Sequence, residues 1–128
     1  MSGPAGSGVS DLRAMLAGLR PELHPEPYGI SLQAAPVDGA FACIAEAEGL
    51  TVIAPLSVLP ADPAWARISL ALHSDLAAVG LTAALSGALA RHGISANVIA
   101  GFHHDHILVP WGRRDDAMRV LQDLSRHA

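Results

Sequence analysis

The chain has 128 residues, 51% of them apolar and 16% charged, with a formal net charge of −4. This length and apolar content fit one compact domain, or two small ones sharing a core, and exclude global disorder. The acidic balance, with eight arginines and no lysine, argues against nucleic-acid coating, and two Phe, two Trp and one Tyr are too few for a base-stacking platform.

Residues 1–8 are small and polar and read as a disordered lead-in. They lack the basic and apolar regions of a signal peptide, and no stretch reaches 18 apolar residues, so a cytoplasmic protein without a membrane span is expected. A short helix follows, with Ser10 as candidate N-cap and Leu12, Met15, Leu16 and Leu19 at helical spacing; Pro21 and Pro25 end it. Tyr28, Ile30 and Leu32 alternate with Gly29, Ser31 and Gln33, the period of a half-buried strand. Pro36–Gly39 is a turn signal. Strands are predicted over Ala40–Ala45 and Leu50–Leu56, joined by a hairpin in which Gly49 permits positive φ. The lone Cys43 excludes an intramolecular disulfide and, in the run Phe41–Ala45, reads as an inert buried thiol. Pro60, Asp62 and Pro63 mark a boundary between halves.

The second half opens with a strand over Ala66–Leu72. Ser74 or Asp75 is a candidate cap for the next helix, whose Leu81, Leu85 and Leu89 form one stripe with Ala84 and Ala88 beside it. His92-Gly93 ends that helix. Ile94–Phe102 and His106–Val109 read as strands around His103-His104-Asp105, and a last helix carries Ala117, Leu121 and Leu124 on one face. The order is β-α-β-β-α after residue 66 and α-β-β-β before it. With one strand borrowed, each half approaches a ferredoxin-like βαββαβ unit, an α+β fold with an antiparallel sheet and helices on one face.

Ser74–Leu81, followed by Gly93-Ile94-Ser95-Ala96-Asn97-Val98, resembles the ACT-domain family. Val79 stands where that family usually has Pro, and the loop before Gly80 is longer. Glu48–Thr51, Val79–Ala84 and Ala100–His106 are similar to stretches of small bacterial stand-alone proteins with two ACT-like halves, and the likeness covers nearly the whole chain. The resemblance implies an N-terminal partial half over residues 9–62 and a complete ACT-like domain over 63–128. It implies an amino-acid-binding regulatory or sensor protein rather than an enzyme.

Gly80 is read one turn into the helix. There it either lets a ligand approach the backbone, with the N–H groups of Asp75–Ala78 facing a carboxylate, or serves tight helix–sheet packing. On the first reading, Gly80→Val removes a ligand response and leaves the fold intact. Asn97 either bridges an amino acid through its amide or is an ordinary polar strand residue. In an ACT-like arrangement the pocket wall comprises His73, Ser74, Asp75, Leu76, Val79, Gly80, Leu81, Asn97, Val98 and Ile99. His103-His104-Asp105-His106 carries metal-ligand types, but consecutive residues at one turn converge poorly on a single ion. A structural turn, a ligand contact and a metal site stay open for it, as does a purely structural protein with no ligand. The turn histidines are expected to have lowered pKa values if they lie at an interface. No nucleophile elbow, phosphate loop, zinc-protease motif or dinucleotide fingerprint is present, so neither catalysis nor a cofactor is expected, and the turn geometry speaks against a tight metal site. The expected partners are a small molecule and a second copy of the chain, since a sheet with helices on one side leaves apolar area and edges unpaired.

Overall fold

A computed structural model describes residues 8–72 and 79–128. In chain order it contains α1 (Gly8–Ala17), β1 (Pro21–Leu23), β2 (Tyr28–Gln33), β3 (Ala42–Glu46), β4 (Gly49–Pro55), β5 (Trp65–Leu70), α2 (Leu81–Arg91), β6 (Asn97–Ala100), β7 (Asp105–Pro110) and α3 (Arg114–Arg126). The strands form one sheet in the order β3-β4-β2-β5-β7-β6, with β1 also paired to β5, and every pairing is antiparallel.

The borrowed strand is β1. It pairs along the second half of β5, Pro21 opposite Leu70 and Leu23 opposite Ile68. The C-terminal half thereby gains a four-strand set, β1-β5-β7-β6. The N-terminal half meets β5 at its other end, where Tyr28 pairs with Trp65. β5 is thus shared by two ferredoxin-type units. Glu46 pairs with Gly49, leaving Ala47 and Glu48 as a two-residue hairpin loop, and Gly49, the residue after it, adopts φ +143°, which a glycine tolerates.

The three helices cover one face of the C-terminal half. Leu16 and Leu19 from the α1 region, Leu85 and Leu89 of α2, and Leu121 of α3 bury against Ile68, Leu70, Ile107 and Val109. This dry core follows from the leucine stripe of α2 and from alternation in β5, where Ala66, Ile68 and Leu70 point inward. Val120 joins Ala117 and Leu121 as a buried residue of α3. Over β2 and β4 no helix is needed. The 56–64 connection crosses there, so close that a Cβ on Gly29 would lie 2.6 Å from that of Ala61.

Several expectations are corrected. α1 begins at Gly8, so Ser10 lies within the helix and does not cap it. It ends at Ala17, and Pro21 opens a strand instead. Residues 1–7 of the expected lead-in lie outside the described residues. α2 begins at Leu81, not after Ser74 or Asp75. Ile30, Leu32 and Ile44 share the helix-free face of β2, β3 and β4, and all three are exposed, so the alternation in β2 marks a strand but not a buried stripe. Cys43 is exposed on β3, one of the two edge strands of the sheet.

Candidate functional site

Of the expected pocket wall, His73, Ser74, Asp75 and Leu76 lie outside the described residues, together with the N–H groups of Asp75–Ala78. Gly80 is not one turn into α2 but its N-cap, in the left-handed region at φ +93°. A Cβ on it would stand 3.3 Å from Leu12 Cδ2 of α1. Gly80→Val therefore strains the turn with or without a ligand, contrary to the expected intact fold. Val79 is 85% exposed, whereas Leu81 is buried in the core. Among the described residues the first turn of α2 has no capping side chain and no acidic residue.

Asn97 is exposed at the start of β6, opposite Leu108. Strand alternation splits the next two positions. Val98 packs on the helix-covered core, and Ile99 packs on the opposite face beside Leu108. The expected wall thus divides between core residues and exposed ones.

The histidine run also separates. The β6–β7 turn is closed by Gly101 N–H donating to His104 carbonyl oxygen at 3.0 Å. Asp105 and His106 already belong to β7. His103 lies edge-on to Phe102, 5.0 Å between ring centres, while His106 reaches back across the sheet. Among the described residues no group of three or more His, Cys, Asp or Glu side chains could hold a metal.

A second cluster was not anticipated. On the helix-free face, at the seam between the halves, Ser69 Oγ lies 2.8 Å from His24 Nε2 and 2.8 Å from His106 Nδ1. Beside it Arg67 Nη1 donates to the Tyr28 hydroxyl at 3.1 Å. The Arg67 guanidinium stands 3.5 Å from the centre of the Phe41 ring, which meets His106 edge-on at 4.9 Å. Arg67 Nε is buried with no hydrogen-bond partner. The N-terminal half supplies His24, Tyr28 and Phe41; the C-terminal half supplies Arg67, Ser69 and His106. The sequence held one signal for this cluster. Arg67 and Ser69 interrupt an otherwise apolar strand at alternate positions, but nothing in the order of residues pairs them with His24 or His106.

Burial lowers the pKa of His106 to about 4, and the charge of Arg67 and the rings of His24 and His104 push the same way. His24 is lowered by burial and by Arg67, against the opposing pull of Glu22 and Glu26. Burial raises Asp105. The expected lowering is present at His106, and His24, across the sheet, shifts the same way. A ring held near 4 is a weak base, so His106 is poorly matched to activating Ser69 as a nucleophile.

ACT-domain family models match residues 7–58 and 61–123. A Vibrio cholerae protein of unknown function, described as a possible transport protein, is 33% identical over 93% of this chain and 99% of its own, with a TM-score of 0.81. An Agrobacterium tumefaciens protein is 18% identical over 78% of this chain and 84% of its own, TM-score 0.66. The ligand-free regulatory subunit of aspartate kinase from Thermus thermophilus shares the fold at 10% identity, over 84% of this chain and 97% of its own, TM-score 0.61. No curated protein matches the chain.

Proposed function

Because the chain belongs to the ACT-domain family, with two such domains in tandem, we propose that it is a non-catalytic regulatory protein that binds an amino acid at the start of α2. The observation that carries this reading is the N-terminus of α2. Gly80 turns the chain into the helix by a left-handed residue, and the first turn has no side-chain cap or acidic residue among the described residues. A ligand carboxylate would accept from those N–H groups and be favoured by the helix dipole. His73, Ser74, Asp75 and Leu76, outside the described residues, are assigned to the same site, with the exposed Val79. Asn97, on β6, would offer donor and acceptor together to the α-amino and α-carboxyl groups. Leu81, Val98 and Ile99 would hold the frame.

Regulation would act by linkage, a bound ligand favouring one assembly over another. A homodimer is part of this reading, supported by the exposed Ile30, Leu32 and Ile44 on the helix-free face. So is a cytoplasmic location; among the described residues no helix is long and apolar enough to cross a membrane.

The test is a thermal-shift screen across the twenty amino acids. One or a few should raise Tm in a concentration-dependent way. Val79→Glu places a negative charge at an exposed position beside the helix start and should weaken that response about tenfold. Asn97→Ala should weaken it as well. A screen with no response sinks the ligand; an unchanged response in both variants sinks the location.

A further inference from the structure

We propose that the seam between the two domains holds a second site, anchored on Arg67, for an organic monocarboxylate with an apolar body. It lies on the helix-free face and goes beyond the amino-acid reading at α2.

Arg67 carries the argument. Its Nε is buried and unpartnered, and its Nη1 donates to the Tyr28 hydroxyl. Among the described residues no carboxylate stands within ion-pair distance of it. The ion pairs there belong to Arg113, Arg119 and Arg126, all on or beside α3 and substantially exposed. A guanidinium cannot shed its proton to escape burial. Arg67 as a whole is half-buried, and a guanidinium with an unsatisfied Nε is relieved by a planar anion, which accepts two parallel hydrogen bonds.

The surroundings define the ligand. His24 and His106 are both held towards the neutral form, in part by the Arg67 charge, so the cluster carries one net positive charge near neutral pH. The nearby acids, Glu22 and Glu26, are exposed and act on His24. One cation matches a monoanion. Ser69 has a single proton to give. It donates to one imidazole and accepts from the other, so one of the two rings always has an N–H left for an acceptor. The remaining walls are apolar: Phe41 over the guanidinium, with Ile99, Leu108 and Trp65 in the same cluster. A carboxylate on an aromatic or aliphatic body fits these walls; a doubly charged, fully hydrated phosphate does not. The site draws side chains from both domains, so its occupancy would bear on how firmly they are joined.

The experiment uses the full chain and three probes: benzoate, its neutral counterpart benzamide, and inorganic phosphate. Binding is followed by NMR at the Arg67 Nε–H and the His106 ring. Benzoate should saturate both signals and raise the His106 pKa, since an anion on Arg67 removes a repulsion; benzamide and phosphate should do neither at the same concentrations. Arg67→Gln should weaken benzoate at least tenfold. Arg67→Lys keeps the charge without the planar fork, should weaken it less, and serves where the Gln variant does not fold. Val79→Glu should leave benzoate binding intact, which separates failure here from failure at α2. No saturation by millimolar benzoate overturns the proposal. So does equal binding of benzamide or phosphate, or an unmoved His106 pKa.

Discussion

The two faces of the sheet solve opposite problems with the same strands. On one face, β5 and β7 place Ile68, Leu70, Ile107 and Val109 under three helices, and the result is a dry, fully packed core. On the other, the alternate residues of those strands are Arg67, Ser69 and His106, joined to His24, Tyr28 and Phe41 of the N-terminal half. Beyond that cluster the face carries exposed Ile30, Leu32 and Ile44. Stability therefore resides on the helix side. The free side carries hydrogen bonds, charge and exposed apolar side chains. A β-strand allows this because successive side chains answer to different neighbours.

The largest test of that division is a pair of truncations. Leu85→Ala, on the fully buried face of α2, should lower unfolding free energy by about 3 kcal/mol in urea denaturation. Leu32→Ala, 58% exposed on the helix-free face, should stay within about 0.5 kcal/mol at concentrations low enough to keep the chain monomeric. A comparable loss in the second variant under those conditions would break the comparison.

Acid should act next, and from the free side. His106 is lowered to about 4 when folded, against 6.5 for the free ring. Below 6.5 the unfolded chain takes up a proton that the folded chain refuses, so stability is complete above that pH and is lost as pH falls towards 4. His24 shifts in the same direction. Asp105, raised by burial, binds its proton more readily when folded and offsets part of the loss at the acid end. Allowing for partial exposure of the ring, the loss should be about 2 kcal/mol by pH 4. His106→Gln should flatten most of the slope in denaturation curves measured across that range. An unchanged slope would remove His106 from the account.

The smallest effect concerns the edge. Cys43 is exposed on β3, so a thiol reagent should label it in the folded protein at nearly the rate seen in urea. Cys43→Ser should change stability by less than about 0.5 kcal/mol. Slow labelling in the native state would place a partner over β3.

Local chemistry determined much of this protein. The leucine stripe of α2, the inward alternation of β5, the Gly49 hairpin and the His92-Gly93 stop each depend on neighbours a few residues away, where periodicity and turn chemistry are legible. The β-α-β-β-α order of the second half, and the need for a borrowed strand, followed from those elements. Only the tertiary structure decided which strand is lent and which apolar faces are covered. The alternation of Tyr28, Ile30 and Leu32 specifies a strand, yet Tyr28 is buried and Leu32 is open, because only Tyr28 lies beside β5 and under Phe41. The junction cluster was equally hidden. His24 and His106 meet at Ser69 across 45 and 37 residues of chain, and such a meeting is set by strand register rather than by spacing.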